Sequence, residues 1–436
     1  MNPLEFSQSR GVQTLFMGLF PYEFTGFRNE VMGAKQSAML CTGLNLVSPT
    51  YDICGPDVRE FMESICVNSF KNLKPGRIRH AVLCNEKGQI LTDGVVACLE
   101  ENRVRCYWLA PVIQYYVSKN TEYDIQGQDV TGTEFFYQIS GPKSLEILEK
   151  AFDCDLHDIK FAHHRIQKVK DYEVRILRLG MSGNLAYEIH GDLANMNDVF
   201  DTICAAGEPL GMTKLGVLGY DLSHTEAGFP NINIHYPLPW YETEGLKDFM
   251  AEHPELGAAN FNRILNGSVG EVLEVRFVNP YETGWGNLVK FDHEFPGKEA
   301  LAKIAEEKHR TVVTLEWDAD DVGKIYAAQF KGREESLNVE SIDRSPVDFY
   351  MTNEYRADRV FAGEKEIGIS TGRTNSYWYK KMISLAFIDP DYAEEGTELT
   401  ICWGTPGCKQ YPVHAKVARY PYNAEFGRNQ EIDVNK

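Results

Sequence analysis

Along the first half of the chain strands come in pairs before each helix, and that order excludes most architectures built on a parallel sheet. The run "RIRHAVLCNEKGQILTDGVVACLEENRVRCYWLA" (77–110) alternates β-rich stretches with the turn signals "NEKG" and "EEN", which predicts a three-stranded meander. "GTEFFYQISGPKSLEILEKAF" (132–152) reads as a strand, a Gly-Pro stop and a helix with Pro142 in its first turn. "YEVRILRLGMSGNLAYEIHG" (172–191) then gives two more strands, and "ANMNDVFDTICAAGEPLG" (194–211) a helix closing at Gly207. Strict βαβα alternation is missing, so the fold class is α+β and a dinucleotide-binding sheet is excluded. Upstream, Val58, Phe61, Met62, Ile65 and Cys66 fall on one face of a predicted helix.

Further along, "LGVLGYDLSHTEAGF" (215–229) predicts a helix stopping at Gly228, and "PNINIHYPLPWYETEG" (230–245) a long loop or lid. After the helix "GKEALAKIAEEKHR" (297–310), four strand-rich runs separated by turn signals predict a C-terminal β-barrel or sandwich.

A chain of 436 residues exceeds one core, since domains run to about 100–200 residues. Its 44 basic and 63 acidic residues give a net charge of −19, a field that repels phosphate backbones and anionic lipid, so neither nucleic acid nor membrane is an expected partner. Ten cysteines without a C-x-x-C pair read as small buried hydrophobes of a reducing compartment. The apolar run "GVQTLFMGLF" is followed by "PYEFTGFRNE" instead of a small-residue cleavage site, so the expected location is the cytoplasm.

Phosphate-binding glycine loops and H-E-x-x-H are missing from the sequence. "HH" (163–164) and "DADD" (318–321) place side chains that point apart on an extended chain, so they read as solvated groups and no metal site is expected. In "GNLAYEIHG", Tyr187 and Ile189 face one side of a strand and Glu188 the other, where it either meets water or holds a specific partner. Asp93 in "QILTDGVV" poses the same choice, and Tyr220 by itself reads as a core tyrosine.

Three stretches taken together carry a resemblance. "AYEIHG" (186–191), "HTEAG" (224–228) and "NPYETGWGNLVKFDHEFPGKEAL" (279–301) resemble the folate-binding framework of the aminomethyltransferase family, typified by the T-protein of glycine cleavage. With "LEWDADDVGKIYAAQF" (315–330) and "GTELTICWG" (396–404), the chain is most similar to the tetrahydrofolate-dependent aryl O-demethylases of the vanillate and syringate type, from about residue 15 to about residue 420.

The resemblance implies a three-domain cloverleaf with a central folate channel and a C-terminal β-barrel. Expected domains are 1–50 with 132–275, then 51–131, then 276–436. It implies tetrahydrofolate as cofactor and a small aromatic ether as substrate. Glu188 matches the carboxylate that accepts two hydrogen bonds from the pterin edge. Tyr281 or Trp285 is expected to pack on a flat ring of the folate, with Glu226 of "HTEAG" among the cofactor-binding residues. Asp93 and Tyr220 are the expected catalytic pair, Asp93 near the reactive folate nitrogens and Tyr220 beside the departing aryl oxygen.

"CYWLAPV" brings Leu109 where the carboxylate-recognising members have arginine, and "NLVSP" brings Leu46 and Val47 where they have histidines. This implies a neutral or larger methoxy- or methylenedioxy-aromatic substrate, in a pocket expected to involve Trp108, Leu109, Val47, His235 and Tyr236. The alternatives are an aminomethyltransferase acting on an amine donor and a folate-binding protein without turnover.

Overall fold

Two sheets meet around one cavity beside a barrel, and the alternation along the sheet strands decides what faces it. The computed structural model describes residues 8–15, 18–42, 48–232, 234–256, 263–342, 349–350 and 354–435. One six-stranded sheet has the order His164–Val169, Tyr172–Leu177, Ala186–Asp192, Glu134–Ser140, Met39–Cys41, Thr213–Leu215, antiparallel except for its last, parallel pair. Both faces of its centre are covered. Phe135, Tyr137, Ile139, Tyr187 and Ile189 pack under the helices Ser144–Phe152 and Met196–Gly207, while Phe136 joins a second core with Phe27, Val31 and Leu222. Glu188 pairs in register with Gln138, and His190 with Phe136, so this quartet lies on the second face.

The predicted meander forms. Ile78–Cys84, Ile90–Glu100 and Arg103–Tyr107 are consecutive in a five-stranded antiparallel sheet completed by Thr50–Cys54 and Gln126–Asp129. The helix Val58–Ile65 buries Val58, Phe61, Met62 and Ile65, the face read from the sequence. Near the start of the chain the apolar run contributes to a β-hairpin, Gly11–Leu15 against Gly18–Glu23.

The C-terminal strands close a six-stranded barrel, in which Thr311–Trp317 pairs with both Lys381–Ile388 and Tyr411–Ala418. Along the last of these, Val413, Ala415 and Val417 point inward and His414 and Lys416 outward. The "DADD" stretch is a helix start: Asp318 accepts hydrogen bonds from the backbone of Asp320 and Asp321 and caps Ala319–Ala328.

Between sheets and barrel runs the helix Val217–Glu226, with Val217, Leu218, Asp221, Leu222, His224, Thr225 and Glu226 all buried. A helix buried all round has no solvent face, so its polar residues need partners inside the protein. The stretch expected as a loop or lid is a packed wall: Tyr236, Leu238 and Trp240 are buried, and Trp240 Nε1 donates to Leu91 O at 2.7 Å. Among the described residues no helix is long and apolar enough to cross a membrane.

Candidate active site

The cavity at this junction measures about 730 Å³, within the range of small-molecule sites. The five-stranded sheet contributes His80 and Asp93, with Trp108 just past the end of its strand Arg103–Tyr107, the six-stranded sheet Phe136 and Glu188, and the buried helix Tyr220, Asp221 and His224. Trp285, Tyr420 and Arg428 close it from the C-terminal part of the chain. Asp93, Glu188, Tyr220, Trp108 and Trp285, all singled out in the sequence, therefore border one space.

Glu188 is 5% exposed. Gln138 Nε2 donates to its Oε1 at 3.1 Å, while His190 Nε2 lies 3.3 Å from Oε2 without hydrogen-bond alignment. Burial pushes the carboxyl up to about 8, against which the Gln138 bond works only in part. His190 is pushed down to about 3, chiefly by burial, and so supplies no cation. An acid held this way gains from a ligand that offers two N–H donors.

Asp93 is held at both oxygens, by His80 Nε2 at 2.9 Å on Oδ2 and by the Tyr236 hydroxyl donating to Oδ1 at 3.2 Å. A chain of rings runs from there across the cavity. His80 meets Trp285 edge-on at 4.9 Å, Trp285 lies 5.5 Å from Phe229, Phe229 6.0 Å from His224, and His224 4.7 Å from Tyr220. His224 Nδ1 donates to Tyr220 O at 3.1 Å and Nε2 accepts from Asn231 at 3.0 Å, which fixes a neutral ring that burial pushes down to about 4. The Tyr220 phenol is raised well above its ordinary value by burial first, and then by the nearby acidic groups of Cys41, Asp221, Glu188 and Asp93. It stays a hydrogen-bond donor at any working pH.

Other residues expected at the site lie elsewhere. Glu226 pairs with Lys35 Nζ at 2.6 Å and accepts from Ser376 Oγ at 2.5 Å, fastening the helix to the barrel away from the cavity. Tyr281 lies on the far side of the turn, where its ring occupies the space a side chain at position 286 would need, and Trp285 takes the cavity position. His235 packs against Gly372, donates to Thr225 Oγ1 at 3.1 Å and accepts from the Asn231 backbone at 3.0 Å. Leu109 is wholly buried behind Gly94, and Tyr236 reaches the site only through Asp93. Val47 and Leu46 lie outside the described residues.

The "HH" pair is likewise occupied by protein. His163 meets Arg77 at 2.9 Å, and His164 donates to Cys98 O at 2.9 Å and faces Arg175 at 2.8 Å.

Sequence reading missed three lining groups. Asp221 and His224 stand beside Tyr220 and signal themselves only as polar residues on a helix that has no wet face. Arg428 comes from the C-terminal tail, which no periodicity ties to the cavity. Arg178 holds that tail, donating to Asn429 O at 3.0 Å and Ile432 O at 2.6 Å, and Asn429 donates to Ala186 O at 3.0 Å.

Comparisons with known proteins agree with this architecture. Residues 3–235 match the GCVT N-terminal domain. The chain is 48% identical to sesamin methylene transferase of a Sinomonas species, covering 96% of this chain and 93% of that one. It is 30% identical to syringate O-demethylase of a Sphingobium species, over 93% and 90% of the two chains. In fold it is similar to the glycine cleavage system aminomethyltransferase T from Bartonella henselae, with a TM-score of 0.65 at 14% identity, over 98% of this chain and 97% of that one. An α+β framework with a closed C-terminal barrel, and a match to the GCVT N-terminal domain over more than half its length, make this chain a member of the GCVT family.

Proposed function

We propose that this chain is a tetrahydrofolate-dependent one-carbon transferase that removes a methyl or methylene group from an aryl ether, leaving a phenol or catechol and 5-methyl- or 5,10-methylenetetrahydrofolate. The observation that carries it is the buried Glu188 carboxyl, which borders a cavity walled by Trp285, Phe136 and Phe229. The relatives at 48% and 30% identity, named for methylene transfer from sesamin and O-demethylation of syringate, support the same reading.

The residues present fit a pterin. Its 2-amino group and neighbouring ring N–H are adjacent donors that one carboxylate accepts together, and its flat ring suits an aromatic wall. Bound, tetrahydrofolate supplies the nitrogen that takes up the carbon. The protein's part is to hold ring and ether in line, keep water out and manage protons. Glu188 orients the pterin edge. Asp93, fixed by His80 and Tyr236, accepts a proton near the reacting nitrogen, and Tyr220 donates a hydrogen bond to the departing aryl oxygen. Arg428, the lining arginine, suits the glutamyl carboxylates. The setting we propose is the cytoplasm, which suits ten cysteines that are all free thiols.

The test is anaerobic incubation with tetrahydrofolate and a panel of methoxy-, dimethoxy- and methylenedioxy-aromatics, with sarcosine and dimethylglycine alongside, reading the folate product by mass. One-carbon folate formed with an aromatic is the expected result. Product from the amines alone makes the chain an aminomethyltransferase, and folate binding without any product makes it a binding protein.

A further inference from the structure

We propose that Asp221 is a second acid of the cavity, which with Tyr220 serves two neighbouring oxygens of the substrate. This rests on the aryl ether reading above and extends it to substrates whose two adjacent ring oxygens share one carbon.

Asp221 borders the cavity and is 2% exposed, and its Oδ2 has no hydrogen-bond partner. No ion pair among the described residues offsets its burial, in contrast to Glu226 on the same helix, which has Lys35. An unsatisfied buried carboxyl is costly, and it is retained where a ligand completes it. Burial alone raises its proton affinity well above the ordinary carboxylate range, which favours the protonated form that can donate. Tyr220 and Asp221 are consecutive on the helix, so their side chains leave the axis about 100° apart and reach one cavity from two directions. Tyr220 offers an O–H and Asp221 a carboxyl that burial biases toward donating, while His224 one turn on is held neutral and occupied by Asn231.

A methylenedioxy-aromatic requires two proton deliveries. Two C–O bonds break and two C–N bonds form at N5 and N10 of tetrahydrofolate. The two protons that leave those nitrogens end on the two oxygens of the catechol, with no change in oxidation state overall. A single methoxy group requires one such delivery. Tyr220 and Asp221 provide one donor for each oxygen, each reprotonated by a proton that the nitrogens release.

The test uses the full chain and Asp221→Asn, which keeps shape and neutrality but has no acidic proton. Expected for the variant are tetrahydrofolate and catechol dissociation constants within about threefold of wild type, and at least a tenfold fall in the ratio of methylenedioxy to monomethoxy turnover. A second readout needs no turnover. Infrared difference spectra of wild type labelled with ¹³C-aspartate, with and without a catechol, should show a protonated-carboxyl C=O band that shifts on binding and is lost in the variant. An unchanged turnover ratio, or a band that catechol does not move, overturns the proposal. If wild type binds tetrahydrofolate but transfers carbon from no aromatic, the functional reading fails, and a catechol-shifted band then still upholds Asp221 as an oxygen-binding acid.

Discussion

Glu188 and Tyr220 show how burial sets chemistry at single residues. Burial pushes the Glu188 carboxyl from an ordinary 4.5 up to about 8. Its contribution to stability is therefore fully present below about 4.5 and is lost as pH rises through about 8, since the unfolded chain gives up that proton more readily. Glu188→Gln should flatten the fall in stability between these values, measured by urea melts across pH. Accepting two N–H bonds requires the ionised form, so tetrahydrofolate affinity should weaken by about tenfold per unit below pH 8. Calorimetry should show proton release on binding. The same substitution removes a charge-assisted contact of about 1.5–3 kcal/mol, roughly a 10- to 150-fold rise in Kd. Tyr220→Phe is the complementary case: turnover should fall by about a hundredfold or more with tetrahydrofolate Kd held within about threefold. A variant that loses both equally would make Tyr220 a packing residue.

At the scale of elements, the helix Val217–Glu226 shows what sequence could and could not reveal. Its extent and its stop at Gly228 were legible, because Gly228 has φ +59° and a Cβ there would press on the Tyr420 ring at 2.6 Å. The paired strands, the amphipathic face of Val58–Ile65 and the opposed faces of Tyr187 and Glu188 were legible for the same local reason. The destination of polar residues on an all-buried helix was not, since periodicity cannot say which buried acid meets a lysine and which meets a cavity. Glu226 was expected at the cofactor and instead sits on Lys35 and Ser376. Glu226→Ala strands a buried ammonium, so stability should fall by about 3–5 kcal/mol in denaturant titration. Tetrahydrofolate affinity of the folded fraction should stay unchanged, and a selective loss of affinity would return Glu226 to the site.

Across the whole molecule the site belongs to no single sheet. The closure of the barrel and the return of the tail pair segments far apart in sequence, contacts that local patterns do not encode. The tail bears on function directly. A chain stopped after Gly427 loses Arg428 from the wall and two of the carbonyls that Arg178 holds. Such a chain should still melt cooperatively, at a lower temperature, while its tetrahydrofolate Kd rises at least about tenfold, seen by calorimetry and fluorescence titration.

That same tail fixes an order of events during synthesis. Both sheets and the barrel are complete by Ala418, whereas the wall that Asn429 pins to Ala186 is synthesised after all of them. A nascent chain can fold its sheets while its cavity still lacks a side. Competence to hold the cofactor thus trails the folding of sheets and barrel, and a chain broken off between Ala418 and Arg428 is folded but holds tetrahydrofolate weakly.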